Sequence, residues 1–442
     1  MSNSIAKDFK FLSLIRFAFP TMIMMMFMSL YTIVDGIFIS RLLGTDALSA
    51  ANIVYPVISL VIAAGVMLAT GGSAMIGKKL GEGKEEEARG NFSFLILAGI
   101  SIGCFLMIVG NLFLRPIIRL LGATDRLLPY CADYLSVSLF LAPACMLQLI
   151  FQTFFVTAGQ PTLGLILTIS GGVANMILDY LFMGPIGMGI KGAALATGIG
   201  QLIPALAGLF YFLLSRRSLY ITKPQGNFAV LKESCFNGAS EMVTNLSGAV
   251  VTFLYNIMML KYLGEPGVAA ITIVLYGQFL FNALYMGFSM GVAPVISYNH
   301  GSDNRKLLQR IFKICISFVS ISSIVITVLA LVAAPVIVEI FTPKGSDTYE
   351  IAKTGFLLFS VNYIFAGINI FASAMFTAFS DGKVSAIISF VRTFVMIVVN
   401  IFLLPYLIGV NGIWLAVPAA ECMTLLLSCG YFIAKRKKYH YM

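Results

Sequence analysis

Two aspartates, Asp35 and Asp179, lie inside long apolar runs of this chain. An ionised carboxylate there costs about 2.5–3.5 kcal/mol on insertion scales unless it is paired or solvated. Asn175 precedes Asp179 by one helical turn and therefore shares its face. Ala193 and Thr197 repeat that spacing on the next run, and Tyr134 begins an earlier one. If the run carrying Asp35 and the run carrying Asp179 end at the same side, both acids lie within about 8 Å of one level. Two carboxylates, an amide oxygen, a hydroxyl and a main-chain carbonyl are the hard oxygen ligands that a small cation prefers. They could equally share protons, as closely placed carboxylates do. Either way the set reads as a cation site, for a coupling ion or a proton. The plainer alternative is that the acids cap helix ends or pair with Arg41 or Lys191.

The elements that must position these groups follow from composition. With 59% apolar residues, 11% charged residues and a mean hydropathy of +0.94, the chain exposes too much apolar surface for a water-soluble globule. Crossing a hydrocarbon core of ~30 Å takes about 20 apolar residues per helix. Twelve such runs are expected, near 13–40, 47–77, 92–114, 131–157, 162–183, 190–214, 234–260, 268–298, 312–339, 352–379, 383–405 and 410–434. The expected fold is therefore an all-α membrane protein. Its halves also read against each other at an offset of 220 residues. Leu43-Gly44 meets Leu263-Gly264, Gly71 meets Gly291, Gly81 meets Gly301, Thr157-Ala158 meets Thr377-Ala378, and Gly189 meets Gly409. One offset holding across such distant blocks predicts two pseudo-symmetric six-helix lobes, a parallel repeat as in some transporters. The lobes span 1–214 and 233–442, and a linker, 215–232, tethers them.

Lys and Arg set the orientation. Placing both termini in the cytoplasm puts 20 of the 29 basic residues inside, including Lys78, Lys79, Lys84, Arg216, Arg217 and the tail from Lys435 to Lys438. The polar opening, residues 1–10, has no small-residue cleavage site, so a cell-membrane protein without a signal peptide is expected. The net charge of +10 then reflects orientation and contact with anionic lipid at the tail, and nucleic acid is not an expected partner. Seven cysteines without a CxxC pair read as packing residues, and His300 and His440 lack partners for a metal site. No catalytic constellation, cofactor motif or metal site beyond a possible Na+ is visible, so an enzyme is not expected. The second half has its own buried ionisable residues, Glu241, Arg392 and Glu421. Glu241 and Arg392 lie at similar depth and could meet, with Glu421 competing for the arginine. At the 220-residue offset Asp35, Asn175, Asp179 and Thr197 become Tyr255, Val395, Val399 and Val417. A cap required by the fold should have recurred, so the first lobe reads as specialised.

These residues bring a family into view. The run Val34-Asp35-Gly36-Ile37-Phe38-Ile39 leading into Leu43-Gly44, residues 77–83, the Ala158-Gly159-Gln160-Pro161 turn and the Asn175/Asp179 spacing resemble a multidrug and toxic compound extrusion (MATE) transporter of bacterial type. The resemblance covers essentially the whole chain. It implies Na+ or H+ binding at Asp35, Asn175, Asp179 and Thr197, with Ala193 as a carbonyl donor and Tyr134 as a neighbour. It also implies that Pro20 is a conformational residue of the first helix. In the second lobe Ser240 stands where many members have proline, and Glu241 does not match the acid used by the Na+-coupled branch. The implied function is cation-coupled antiport by alternating access, exporting amphipathic organic cations. No cofactor beyond the coupling ion is expected, and no oligomer is required. A lipid-linked precursor flippase of the same superfamily and a metabolite exporter are the alternatives. A flippase for a pyrophosphate head group should carry more basic residues in its cleft than Arg392 alone.

Overall fold

A backbone in hydrocarbon must satisfy its own N–H and C=O groups, and a helix is the local way to do so. The computed structural model describes residues 4–226 and 228–442; residues 1–3 of the polar opening and Asn227 of the expected linker lie outside the described residues. Among the described residues the fold is all-helical: α1 (Phe11–Leu43), α2 (Thr45–Gly81), α3 (Glu85–Leu112), α4 (Leu114–Leu120), α5 (Leu128–Phe140), α6 (Ala142–Thr157), α7 (Pro161–Met183), α8 (Gly189–Leu214), α9 (Phe228–Gly301), α10 (Arg305–Phe341), α11 (Asp347–Ser360), α12 (Tyr363–Ala378), α13 (Gly382–Phe390), α14 (Met396–Ile408) and α15 (Val410–Tyr439). A π-helical turn, Val391–Val395, joins α13 to α14.

Nine described helical segments are long and apolar enough to cross a membrane, or up to 11 when each bent pair counts as one span. The bent pairs are α5 with α6, at 52°, and α11 with α12, at 54°. The 74-residue α9 would measure about 110 Å if straight, several times a hydrocarbon core. It breaks at Gly264, whose φ of 68° lies in the left-handed region that glycine tolerates. Gly44, between α1 and α2, has φ 85°, and the pair Gly189, the first residue of α8, and Gly409, just before α15, has φ 61° and 66°. Large apolar side chains such as Phe105, Ile108, Val332, Ile340 and Leu426 are more than half exposed, a surface suited to lipid tails.

Between lipid-solvated helices there is little hydrophobic drive, so close packing depends on small residues. The seam between the two halves shows this. A Cβ at Gly71 would collide with the Ser234 carbonyl, one at Gly238 with the Met67 carbonyl, one at Gly81 with the Tyr298 carbonyl and one at Gly301 with the Lys78 carbonyl. Further along, Gly287 and Gly291 of α9 press on α1 at Ala18, Thr21 and Met22, beside Pro20. These approaches lie in the half of the bundle that carries both chain ends. There the buried core joins residues of α1, α2 and α3 to residues of α9, α10 and α12.

Gly71→Leu should therefore cost about 1–3 kcal/mol through overpacking at this seam. Gly430→Leu, where nothing lies within 4 Å of the added carbon, should stay within about 0.5 kcal/mol of the parent. Thermal unfolding of the detergent-solubilised variants checks the contrast, and equal losses would contradict it.

Candidate functional site

Four helices and one bent span converge on Asp35 and Asp179. Asp35 sits on α1 and Asp179 on α7, and the two carboxyl groups lie within hydrogen-bonding reach of each other. Glycine makes the approach possible. A Cβ at Gly172 of α7 would strike the Phe27 ring of α1, and one at Gly200 of α8 would strike Asn175 and the Gly171 carbonyl of α7. With those positions bare, α7 nests between α1 and α8. Asn175 then reaches Thr197, its Nδ2 donating to Oγ1 at 3.4 Å, and the Thr197 hydroxyl donates to the Ala193 carbonyl at 3.1 Å. Gly198 admits Leu141 at the bend between α5 and α6, and Tyr134 of α5 faces both carboxyl groups.

Satisfaction, not distance alone, distinguishes this place. Asp179 is fully buried and Asn175 nearly so, while Asp35 is half-buried. Both carboxylate oxygens of Asp179, Oδ1 of Asp35 and Oδ1 of Asn175 are sealed from solvent and make no hydrogen bond within 3.5 Å among the described residues, although the Asn175 side chain lies beside the Asp179 carboxylate. Buried oxygens are ordinarily satisfied, and an isolated buried carboxylate is among the costliest groups a protein can hold. Among the described residues no basic side chain forms an ion pair with them. Lys191 pairs with Asp133 at 3.0 Å, and Arg41 forms no ion pair among the described residues. Four acceptor oxygens with no donor form a set that a small cation or a proton would complete. Among the described residues no three His, Cys, Asp or Glu side chains gather as a multivalent metal site would require.

Two tyrosines join this cluster that composition and spacing did not single out. Tyr31 lies one turn before Asp35 on the same face of α1 and close to its carboxyl group. The four-residue spacing carried that signal. Tyr55 of α2 borders Tyr31 and Tyr134. No sequence spacing relates it to the acids, because the packing of α2 alone brings it there.

In the other half, Arg392 stands on the π-helical turn and donates from Nε to Glu421 of α15, at 2.8 and 3.0 Å. Glu241 of α9 remains outside ion-pair distance of any described basic group, so Arg392 has Glu421 rather than Glu241 as its partner. Asn369 of α12 also donates to Glu421, at 2.8 Å, a contact not foreseen from the sequence. Pro20 lies inside α1, which runs through it as a continuous helix.

Comparison with known proteins follows the same outline. The MatE family profile matches the chain twice, over residues 20–181 and 242–402. The "Multidrug export protein MepA" of Staphylococcus haemolyticus is 25% identical over 439 residues, covering 96% of this chain and 94% of that protein. A structure described as the outward-facing conformation of a multidrug resistance MATE family transporter superimposes with a TM-score of 0.91 at 21% identity, over 97% of this chain and 96% of the other. A MATE protein solved in complex with MaL6 gives 0.90 at 21% identity, over 97% of each chain.

An orphaned buried carboxylate predicts a specific stability pattern. In neutral, Na+-free detergent solution Asp179→Asn, which keeps the shape and removes the charge, should raise the unfolding free energy by about 1–3 kcal/mol. Added Na+ or acid should stabilise the parent and leave the variant nearly unmoved, as thermal unfolding would read. A variant that is destabilised under all conditions would contradict the assignment.

Proposed function

The chain belongs to the MatE family, whose members are transporters rather than enzymes, and from that premise we propose that it is a cation-coupled antiporter exporting amphipathic organic cations by alternating access. The observation that carries this reading is the group of four donorless oxygens on Asp35, Asn175 and Asp179. Asp35, Asp179, Asn175, Thr197 and the Ala193 carbonyl would hold the coupling Na+ or the proton, with Tyr134 alongside. The cation would supply the charge that lets α1, α7 and α8 remain packed together, and no further cofactor is called for.

Twelve crossings in two repeated lobes, 1–214 and 233–442, complete the proposal, with both termini and the 215–232 linker in the cytoplasm. The double family match and the left-handed glycines at Gly44 and Gly264, and at Gly189 and Gly409, support an offset of 220 residues. The glycine seam closes the half bearing the chain ends, which supports a state shut toward the cytoplasm. Exchange to the opposite state would open that seam. Gly287 and Gly291 clamp α1 beside Pro20, where the helix lacks a backbone donor, so bending of α1 there is the natural coupling between cation site and seam. A cation that binds one state better shifts the population toward it, and a substrate with the opposite preference is then exchanged against it.

Cargo follows from charge. Glu421 already engages Arg392, a basic side chain within the bundle interior, which favours cationic cargo over a pyrophosphate head group. Tyrosine faces near the acids suit an organic cation.

Efflux of a fluorescent organic cation from proteoliposomes, driven by a Na+ or a pH gradient imposed separately, tests the proposal. One gradient should accelerate efflux in the parent chain, and Asp35→Asn and Asp179→Asn should each remove that acceleration. Gradient-independent flux that neither substitution alters would overturn it.

A further inference from the structure

The second half of the bundle holds charges that the cation site does not use. The π-helical turn Val391–Val395 adds a residue to the ladder between α13 and α14, and such turns re-aim side chains and recur at functional sites. Here the turn carries Arg392. The guanidinium spends only Nε on Glu421, at 2.8 and 3.0 Å, and its two terminal amino groups donate to no described residue. Its side chain is 11% exposed, and the terminal amino groups are not sealed from solvent, so those four N–H bonds are open to a ligand. Glu421 is otherwise complete. Asn369 donates to it at 2.8 Å, and the Ser428 hydroxyl donates to Oδ1 of Asn369 at 2.8 Å.

Across from this arrangement stands Glu241 of α9. Arg392 is the basic group whose charge reaches it, yet Glu241 takes part in no ion pair within 4.0 Å and its carboxylate accepts no hydrogen bond among the described residues. It is half-buried rather than sealed. A chain of hydroxyl contacts from Ser240 through Thr377, Ser385 and Ser373 to Ser389 ties the turn of α9 that carries Glu241 to the turn that precedes Arg392, so the open fork and the open carboxylate share one neighbourhood without forming an ion pair. At the 220-residue offset Glu241, Asn369, Arg392 and Glu421 correspond to Thr21, Leu149, Gly172 and Gln201, so the first half has no copy.

We propose that this pair is a binding site for a zwitterionic head group, its carboxylate on the terminal amino groups of Arg392 and its ammonium on Glu241. The charges select that class. An ammonium alone would pair with Glu241 but leave the terminal amino groups of Arg392, whose charge Glu421 already balances, without an acceptor. A carboxylate alone would pair with Arg392 and face two acids. A head group carrying both matches each partner, and the planar fork of arginine suits a carboxylate in bidentate fashion. Glu421, fixed by Asn369, keeps the guanidinium turned outward and is a positioning residue. The proposal rests on reading the bundle as an exporter of amphipathic molecules, because an apolar tail must share the space.

Equilibrium binding to the purified full-length chain in detergent tests it without any gradient, so a failure of antiport and a failure of this site are distinguishable. The probes are Nε-dansyl-lysine, a zwitterion, its methyl ester, a cation, and its Nα-acetyl derivative, an anion, followed by fluorescence anisotropy. The zwitterion should bind about tenfold or more tightly than either derivative. Glu241→Gln should bring the zwitterion and the acetyl derivative together. Arg392→Gln combined with Glu421→Gln, which strands no buried charge, should bring the zwitterion and the ester together. Glu241→Gln removes no observed contact of the carboxylate, so it keeps the test open if the double variant does not fold. A zwitterion that binds no better than its ester or acetyl derivative, that does not bind at all, or whose preference survives Glu241→Gln, overturns the proposal.

Discussion

A carboxylate removed from water without a partner is the least tolerable group a membrane bundle can contain, and the arrangement around Asp179 depends on how that problem is left open. Both of its oxygens are sealed and donorless, Asp35 lies against it, and Asn175 turns its amide nitrogen to Thr197 and leaves its own oxygen free. A structural role would have been served by a lysine or by main-chain N–H groups, and Lys191 is near enough in sequence to have supplied one. It pairs with Asp133 instead. The cost is therefore retained in the fold, and an arriving cation or proton would remove it. That is the form a coupling free energy must take, because a ligand shifts an equilibrium by no more than its difference in affinity between states.

The rest of the molecule lets that local cost act at a distance. Bare glycines on α7 and α8 bring the oxygens together, and bare glycines on α2 and α9 close the seam at the end bearing the chain termini. Both are contacts of backbone on backbone or of backbone on a side chain, with no flexible groups to absorb a small displacement. Packed interfaces of this kind tend to be held or released rather than stretched. Helix α1 carries Asp35, and further along it is clamped by Gly287 and Gly291 beside Pro20. It carries one of the two acids of the site and also reaches the seam, and α2, with Tyr55 at the site and Gly71 and Gly81 at the seam, runs beside it.

Much of this was legible in the residues. Apolar runs marked the helices, and the four-residue spacing of Asn175 with Asp179, and of Ala193 with Thr197, placed pairs on common faces before any packing was known. Tyr31 was legible by the same spacing from Asp35, and its role follows from the turn they share. Tyr55 and Asn369 were not legible, because nothing local relates them to the acids they approach; only the packing of α2, and of α12 on α15, brings them in. The partner of Arg392 was open for a similar reason. Depth along the membrane allowed Glu241 or Glu421, and the π-helical turn, which no sequence period announces, turned the side chain to Glu421. The division of α9 at Gly264 was visible as a Leu-Gly pair, and the bend near Leu141 is followed at once by Pro143, while the bend near Val361 has no glycine or proline beside it to mark it.

On the proposed reading one cation and one substrate compete through the Asp35–Asp179 pair. The most direct measurement is the affinity of the purified chain for a fluorescent organic cation as a function of Na+ concentration and, separately, of pH. Affinity should fall as one of these two cations rises, and Asp179→Asn should abolish the dependence while still binding the substrate. An affinity indifferent to both cations, or a dependence that persists unchanged in Asp179→Asn, would contradict it.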